Sequence, residues 1–254
     1  SFLDYLKSEH VVSVFTRLHP LFDQNVLLTE FGGVHENGNV VVINLTESIE
    51  EQRAKYKMRW YRKIRQLKQK GFYLKESHDD HDILTFIDIY RDNMRRVNAS
   101  ENYMFNEHYF KDLLYSQEID CRLFLIYNSE KIPVSGGLMV FTDHVVQAHL
   151  LATLEEYLKD SPVKLLIDEV SIIAREMGMK YFNLGGGFGF RKDSLYDWKA
   201  KFSNFTPMYY TWRFIVDYIA YNEILWQRGV DSESNADHFP LYRLRVENQL
   251  VENN

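Results

Sequence analysis

A glycine-rich segment followed by a lysine is the part of this chain best suited to chemistry. A strand-like run at residues 181–184 leads directly into Gly185, Gly186 and Gly187, and a short helix-like run then carries Lys199. Consecutive glycines let the main chain approach a ligand closely, because they carry no Cβ and adopt positive φ readily. The lysine supplies a cation for negative charge that develops in a reaction. A plain glycine turn between a strand and an amphipathic helix is the alternative interpretation.

The basic segment between residues 53 and 70 is the second feature that could bind a ligand. It holds nine lysines and arginines and no acid, although the whole chain carries a net charge of −6. A capping-box start at Ser48 and a stop at Gly71 predict one helix of about 22 residues between them. The basic side of that helix is formed by Lys55, Arg59, Arg62 and Lys63. Such a face binds phosphate or nucleic acid, or it is simply solvated.

Metal and thiol chemistry are not indicated by the composition. The lone cysteine, Cys121, precedes an apolar run and is predicted to be a buried strand thiol. It cannot form an intramolecular disulfide, so the chain does not require an oxidising compartment. The nine histidines include a cluster at His78 and His81, which we interpret as a polar loop and helix cap. We therefore predict no metal site.

The elements that must position these residues form a mixed pattern of strands and helices. After Gly71 the predicted order is β-α-α-β-β-β-α-β-α-β. Three of the strands, at 121–127, 134–141 and 145–152, are joined by turns short enough for hairpins. This order predicts a mixed sheet flanked by helices, that is, an α/β (α+β) layered fold. Hydrophobic residues make up 45% of the chain and charged residues 26%, as expected of a folded protein.

This order of elements resembles the GNAT acyltransferase fold, and several motifs are similar to those of FemAB-like acyltransferases, which are related to the enzymes that build peptidoglycan bridges. The matching segments follow one another in the family's order along nearly the whole chain. They are residues 12–20 (VSVFTRLHP), 62–65 (RKIR) with Lys68 and Gly71, 99–105 (ASENYMF), 148–153 (AHLLAT), 183–187 (NLGGG) and 193–203 (DSLYDWKAKFS).

The resemblance implies a chain related to proteins with two GNAT-like domains. Residues 1–71 would be the remainder of a partial first domain, ending in the long basic helix. Residues 72–230 would form a complete GNAT-like acyltransferase domain. Residues 231–254 would be a C-terminal tail that either stands alone or returns to the first domain. Members of the family act on cell-wall or surface-polysaccharide precursors, so the expected partner is an amino-sugar or peptide precursor.

The resemblance also implies catalytic roles for Lys199 and His149. Acyl transfer to an amine passes through an oxyanion, and losing one donor to that oxyanion typically costs about 3–4 kcal/mol in the barrier. Lys199 follows Trp198 where the family has a Phe-Lys motif, and would be that donor; a surface lysine is the alternative. His149 lies near the place where a GNAT sheet opens, and its neutral imidazole could accept the amine proton. A hydrogen-bonded core histidine is the alternative.

The remaining candidate residues would bind substrate. Asn183 and the three glycines that follow would cradle it with main-chain N–H groups and a side-chain amide. Tyr103 and Phe105 would line the acceptor cleft. Arg17 and His19 lie between apolar residues, so each is either buried with a partner or turned toward a cleft between the domains.

The acyl donor is not fixed by the sequence. GNAT enzymes hold the coenzyme A pyrophosphate on a glycine-containing loop, whereas residues 154–162 here contain no glycine and three acids. Trp198 stands where those enzymes often keep a tyrosine that protonates the thiolate. We expect no permanently bound cofactor, and an aminoacyl-tRNA or an acyl-coenzyme A as donor. A tRNA would use the basic segment, through contacts that weaken with salt.

Two other functions stay open beside a FemAB-like N-acyltransferase. One is an acetyl-coenzyme A-dependent N-acetyltransferase, and the other is a non-catalytic RNA-binding protein that uses the basic segment. No apolar run reaches the roughly 18 residues that span a bilayer, and no signal peptide is visible. We therefore expect a bacterial-type cytoplasmic enzyme without a membrane span; peripheral contact with a membrane stays open.

Overall fold

The computed structural model describes residues 1–244, which fall into two compact units. The larger unit spans residues 39–206, and the smaller one combines residues 1–38 with the chain from residue 207 onward. This division differs from the predicted boundary after Gly71. The reason is that the strand at 41–44 and the two helices that follow it pack with the larger unit.

Within the described residues, strands and helices alternate largely as predicted. The strands are β1 (Ser13–Arg17), β2 (Val34–Asn39), β3 (Val41–Asn44), β4 (Tyr73–Ser77), β5 (Asp120–Tyr127), β6 (Pro133–Thr142), β7 (Val145–Thr153), β8 (Tyr181–Gly185) and β9 (Met208–Ile215). The α-helices are α1 (Phe2–Ser8), α2 (Gln24–Thr29), α3 (Ile49–Lys55), α4 (Met58–Gln69), α5 (Asp80–Arg96), α6 (Glu107–Leu114), α7 (Val163–Glu176), α8 (Ser194–Lys199) and α9 (Tyr218–Gln227).

The larger unit is built on a six-stranded mixed sheet in the order β3-β8-β7-β6-β5-β4. The predicted three-strand meander is confirmed, since β5, β6 and β7 pair antiparallel along nearly their whole lengths. Strand β7 pairs in parallel with β8, and α7 makes the connection between them. The predicted mixed sheet flanked by helices is therefore present.

Two hydrophobic cores lie on the two faces of this sheet. On one face, α5 and α6 contribute Phe86, Tyr90 and Phe110, which pack with residues such as Leu150 of β7. On the other face, α4 and α7 pack on residues such as Val146 of β7, and the segment carrying α8 joins them. We call these the α5–α6 face and the α4–α7 face. Residues of β5, β6 and β7 supply both cores, because successive strand residues point to opposite faces.

The predicted basic helix is two helices. Its start is as predicted, because Ser48 and Glu51 form a capping box, and Gly71 follows its end with φ of +81°. The single continuous helix, however, is wrong. Tyr56 adopts an extended ψ of 141°, and the N–H of Lys57 donates to the carbonyl of Lys201 at 3.0 Å. This outside hydrogen bond ends α3 and lets α4 begin in a new direction.

The smaller unit has a three-stranded sheet in the order β1-β9-β2. Helix α9 adds a small core in which Tyr221 and Leu225 pack with Val12 and Tyr242. The hydroxyls of Ser13 and Tyr242 also lie 2.8 Å apart, so the described part of the C-terminal tail contacts the N-terminal segment. Residues 245–254 of that tail lie outside the described residues. Strand β9, which we placed in the domain at 72–230, belongs to this smaller unit.

Candidate active site

A gap opens between two neighbouring parallel strands in the larger unit. Strands β7 and β8 pair at three positions, from Val145 with Tyr181 to Gln147 with Asn183. Beyond Gln147, β7 continues for six more residues without a partner on β8. Main-chain groups and side chains along both edges of this gap are therefore available for a ligand.

His149 and Gly185 lie on the two strands that border this gap. Val146 and its partner Phe182 both lie in the core on the α4–α7 face, so Gln147 and Asn183 point to the opposite side. His149, two residues after Gln147, points to the same side, and its ring meets Tyr109 of α6. A bulge between β6 and β7 leaves His149 without a partner on β6. Gly185 ends β8 two residues after Asn183 and has a φ of +76°.

His149 is held by a hydrogen bond to Tyr109. The Tyr109 hydroxyl lies 2.6 Å from Nε2 of His149, and the Tyr109 ring stacks on Phe105 with centroids 4.0 Å apart. Partial removal of water by the surrounding protein lowers the pKa of His149 below its usual 6.5. The residue is exposed rather than part of the core. A neutral, oriented imidazole that substrate can reach is what a general base requires.

Lys199 lies at the end of α8, and its ammonium reaches the glycine loop. Its Nζ donates a hydrogen bond to the carbonyl oxygen of Gly186 at 2.7 Å. A Cβ atom on Gly185 would lie 3.4 Å from the same Nζ. The lysine is half-buried, and burial lowers its pKa to about 8. It is not a surface lysine, and within residues 1–244 its ammonium donates only to that carbonyl, which leaves N–H groups for developing negative charge.

The glycine loop itself is tightly folded. The side-chain oxygen of buried Asn183 accepts the N–H of Gly185 at 2.8 Å, and Gly185 has φ of +76°. A Cβ on Gly187 would overlap the carbonyl of Arg191 and the carboxylate of Asp193. Asp193 in turn accepts main-chain N–H groups of the loop and of α8. Gly187 is thus required for packing of the loop, and the Asn183 oxygen shapes the loop.

Among the predicted aromatic binding residues, Phe105 stacks on Tyr109 beside His149, whereas Tyr103 and Trp198 make other contacts. Tyr103 is exposed in a short 3-10 turn, and its carbonyl accepts the hydroxyl of Tyr90 at 3.0 Å. Trp198 packs edge-on against Phe202 in the core on the α4–α7 face. Its ring is therefore part of the hydrophobic core.

Arg17 and His19 belong to the smaller unit. Arg17 is exposed, so the alternative in which it is buried with a partner is wrong. His19 stacks on Phe22 with centroids 4.5 Å apart, and its Nδ1 accepts the N–H of Leu21 at 3.2 Å. Partial burial lowers the pKa of His19. A substrate-binding role for either residue stays a prediction.

The predicted anion-binding set on α3 and α4 divides into paired and unpaired residues. Lys55 pairs with Glu47 at 2.5 Å and Lys63 with Asp160 at 3.0 Å. Arg59 and Arg62 are exposed, and neither makes a hydrogen bond or ion pair within residues 1–244. The arginines keep their charge for an external anion, whereas Lys55 and Lys63 are largely neutralised.

Tyr109 is the site residue that the sequence analysis missed. The signal for it was the start of α6, where Asn106 caps the helix and Phe105 packs edge-on against Phe110 as a hydrophobic staple. That staple fixes the first turn of α6 against the sheet, and Tyr109 lies in the same turn. Its partner His149 lies 40 residues further along the chain, so no local signal connects the two.

The described part of the chain shows neither a metal-site cluster nor a membrane-spanning helix. Across residues 1–244, no three His, Cys, Asp or Glu side chains converge as a metal site would require. Over the same residues, every helix is too short or too polar to pass through a bilayer.

Comparison with known proteins places this chain in a family. The family model for the acetyltransferase (GNAT) domain matches residues 54–200, which include His149, the glycine loop and Lys199. A search of curated proteins found no match.

Similar solved structures share the fold at low sequence identity. FemX matches with a TM-score of 0.68 and 14% identity, over 87% of this chain and 76% of FemX. L-PGS from Bacillus licheniformis matches with a TM-score of 0.60 and 13% identity, over 89% of this chain and 75% of that one. The C-terminal domain of a putative lysylphosphatidylglycerol synthetase from Agrobacterium fabrum matches with a TM-score of 0.59 and 14% identity, over 83% and 70%. The fold is thus the one that FemX has, and the chain belongs to the GNAT family of acyltransferases.

Proposed function

We propose that the protein is a FemAB-like N-acyltransferase, which moves an aminoacyl or simple acyl group onto an amine of a cell-wall or surface-polysaccharide precursor. The observation that carries the proposal is that His149 and Gly185 lie on the two strands that border one gap, with the Lys199 ammonium beside Gly185. A base and a cation on either side of a gap suit an amine that attacks an acyl carbonyl.

The proposed reaction uses each group once. The amine nitrogen attacks the carbonyl carbon of the acyl donor, and the carbonyl oxygen becomes an oxyanion beside the Lys199 ammonium. His149 takes the proton that the attacking nitrogen loses. The tetrahedral intermediate then collapses, the new C–N bond remains, and the bond to the donor's oxygen or sulfur breaks. The leaving group departs with the proton, which restores neutral His149.

The class of donor is proposed from similarity. The Agrobacterium fabrum neighbour is a putative lysylphosphatidylglycerol synthetase, and joining lysine to phosphatidylglycerol is an aminoacyl transfer. An aminoacyl ester is therefore our first choice of donor. The exposed Arg59 and Arg62 suit the phosphates of a tRNA carrier.

Mass spectrometry of defined donor and acceptor mixtures tests the proposal. Acyl-coenzyme A and aminoacyl-tRNA would each be offered with nucleotide-linked amino sugars and with peptide precursors. We expect one pair to yield an acceptor whose mass has grown by the acyl group. Lys199→Ala should lower the rate by about 10²–10³. Lys192→Ala, an exposed lysine close to the same loop, is the matched control. Full transfer by Lys199→Ala would remove Lys199 from the mechanism.

Acetyl-coenzyme A as donor is the second candidate, favoured by the description of the matching family model. A ligand at 100 times its dissociation constant stabilises a protein by about 2.7 kcal/mol, which a thermal-shift measurement detects. Stabilisation by acetyl-coenzyme A together with acetylation of an amine would favour this candidate over an aminoacyl ester.

Non-catalytic RNA binding is the third candidate, favoured by the two unpaired arginines on α4. It predicts RNA binding that survives Lys199→Ala and weakens when Arg59 and Arg62 are both changed to Gln. Binding should also weaken as salt rises. Transfer of an acyl group by the wild type would contradict a purely non-catalytic role.

A further inference from the structure

Gln147 is a polar residue at the start of the gap to which the proposed reaction gives no role. It is the last residue of β7 that pairs with β8, opposite Asn183, and its side chain points to the same side of the sheet as that of His149. Residues two apart along a strand have Cα atoms about 6–7 Å apart. One small group placed between the two side chains can therefore contact both of them.

The orientation of the Gln147 amide follows from its one hydrogen bond. Its Nε2 donates to the carbonyl oxygen of Ala148 at 3.2 Å, which identifies the nitrogen end of the amide. Its Oε1 accepts no hydrogen bond within residues 1–244, and it is accessible to solvent. An amide oxygen has two lone pairs, so Oε1 can accept a hydrogen bond from a ligand in the gap.

His149 supplies a second acceptor on the same side of the sheet. Its Nε2 lies 2.6 Å from the Tyr109 hydroxyl, so Nδ1 is the ring nitrogen that is left for a substrate. A neutral imidazole that carries its hydrogen on Nε2 has a lone pair on Nδ1. The side-chain oxygen of Asn183 does not compete, because it already accepts the N–H of Gly185 at 2.8 Å. Two acceptors, Oε1 of Gln147 and Nδ1 of His149, therefore lie along this part of β7.

We propose that Gln147 makes the site selective for a primary amine over a hydroxyl as acyl acceptor; this inference rests on the proposed acyl transfer. A neutral primary amine has two N–H groups and one lone pair. One N–H donates to Oε1 of Gln147 and the other to Nδ1 of His149, which leaves the lone pair to attack the acyl carbonyl carbon. The proton held by Nδ1 then passes to His149, and the N–H held by Gln147 stays on the amide product.

A hydroxyl acceptor cannot satisfy both groups. It has a single hydrogen, so either Gln147 or His149 loses the hydrogen bond that water gave it before the substrate entered. Sites built to accept an N–H group discriminate against an analogue that lacks it, because a polar group is left unpaired. Gln147 would thus determine specificity by contact with the acceptor, whereas Lys199 acts on the acyl donor.

Competition between two matched acceptors tests this role. The pair is a uridine diphosphate-linked amino sugar and the same nucleotide sugar with a hydroxyl in place of the amine. For a peptide acceptor, the pair is a lysine-containing peptide and its hydroxynorleucine analogue. Each is offered with the acyl donor that mass spectrometry identifies for the wild type.

Three variants separate the acceptor oxygen from other effects. Gln147→Met keeps the length of the side chain without the amide, and Gln147→Glu keeps an acceptor oxygen. Gln117→Met is the matched control, because Gln117 is exposed and also donates to a nearby carbonyl, that of Tyr115, at 3.4 Å. It precedes β5, which lies two strands away from β7. Gln147→Asn, whose shorter amide withdraws the oxygen, serves if Gln147→Met fails to fold.

We expect Gln147→Met to lower kcat/KM for the amine about tenfold or more, and to change that for the hydroxyl by less than about threefold. The ratio of amine to hydroxyl transfer should therefore fall. Gln147→Glu and Gln117→Met should keep that ratio within about threefold of the wild type. If the hydroxyl product is below detection, recovery of amine transfer in Gln147→Glu relative to Gln147→Met decides the question.

Two results would overturn the role of Gln147 while leaving the acyltransferase in place. One is transfer to the amine by Gln147→Met at the wild-type rate, and the other is an equal loss with the amine and with the hydroxyl. Absence of transfer by the wild type with every donor and acceptor would instead contradict the proposed function, and this inference with it.

Discussion

The Tyr109 hydroxyl lies 2.6 Å from Nε2 of His149, and that ring projects from a bulge at the edge of the gap beside β8. One hydrogen bond therefore links the first turn of α6 to the strand that borders the proposed site. Tyr109 is itself fixed by stacking on Phe105. A histidine held from one side keeps one ring orientation, so the other ring nitrogen can face a substrate.

The pH profile of transfer should be bell-shaped. His149 must be neutral, and since its pKa is lowered from 6.5, activity should fall only as pH drops below that value. Lys199 must be protonated, so activity should fall again as pH rises through its pKa of about 8. The measurement is kcat/KM between pH 5 and 10 with a substrate pair identified by mass spectrometry.

Two variants assign the limbs of that profile. His149→Gln should remove the acid limb and leave the alkaline one. Lys199→Arg should keep residual activity and move the alkaline limb upward, because a guanidinium stays protonated over this range. An unchanged acid limb in His149→Gln would show that another group is the base.

Gly185→Ala should lower activity more than stability. Positive φ at this position costs an alanine about 1 kcal/mol, and the new methyl would lie 3.4 Å from Nζ of Lys199. A methyl at that distance crowds the ammonium beside the gap, at the near limit of ordinary van der Waals contact. Gly189→Ala is the matched control, because Gly189 also has positive φ of +58° but meets nothing within 4 Å.

Comparing Gly185→Ala with Gly189→Ala separates the effect of backbone strain from the effect of crowding the Lys199 ammonium. Both variants should lose similar stability in urea unfolding, while only Gly185→Ala should lose activity, by about tenfold or more if the ammonium is displaced by a few tenths of an ångström. Equal activity in the two variants would mean that the Lys199 ammonium tolerates a side chain at 185.

The elements with local signals were predictable from the sequence. The capping residues at Ser48 and Glu51, the turns of the β5–β7 meander and the helix at α7 all depend on residues close together in the chain. The break between α3 and α4 was not predictable in the same way. It depends on a hydrogen bond from Lys57 to Lys201, more than a hundred residues away.

Which strands pair with each other could not be predicted from local sequence patterns either. Strand β3 pairs with β8 at the edge of the larger sheet, and β9 pairs with β1 in the smaller one. The sequence of each segment predicts a strand, but the alternation of apolar and polar residues does not determine which strand it pairs with. Lys199 could be predicted because a sequence motif and a family resemblance both pointed to it. Tyr109 and Lys164 could not, because they stand out only through their contacts with His149 and Trp60.

Lys164→Met should stabilise the protein; this lysine lies in the first turn of α7, with Nζ 3.8 Å from the ring centroid of Trp60. The pKa of Lys164 falls from 10.5 to about 8 on folding, so the unfolded chain binds the proton more tightly and folding is disfavoured while the lysine is charged. This penalty is fully present below pH 8 and is relieved as pH rises toward 10.5. Removing the charge should raise the free energy of unfolding by about 1 kcal/mol at pH 7.

The sign of the pH dependence provides the check. Urea unfolding at pH 7 and at pH 9.5 should show that the advantage of Lys164→Met over the wild type shrinks at the higher pH. Lys159→Met, at an exposed lysine in the loop before α7, should have nearly the same free energy of unfolding as the wild type at both pH values. A variant that is less stable than the wild type at pH 7 would mean that contact with Trp60 outweighs the burial penalty.

Asp168→Asn should be among the more destabilising single changes in the larger unit. The Asp168 side chain is fully buried on α7 and accepts two hydrogen bonds from Arg53 on α3, at 3.0 and 2.7 Å. Removing the carboxylate leaves a guanidinium without its counter-charge, and breaking a buried pair in this way costs about 3–5 kcal/mol. Arg53 is partly exposed, so the lower end of that range is expected.

Asp160→Asn is the control for this change, since it removes the same group from the more exposed pairs with Lys63 and Lys70. It should cost about 1 kcal/mol or less in urea unfolding, and 0.5 M salt should reduce that cost further, to roughly half or less. The Asp168→Asn effect should persist in salt, because a buried pair is poorly screened.

If both variants lost the same stability, the Arg53–Asp168 pair would not be the main contact that holds α3 against α7. The neighbouring bond from Gln52 to Ser171, at 2.7 Å, would then be the next to test.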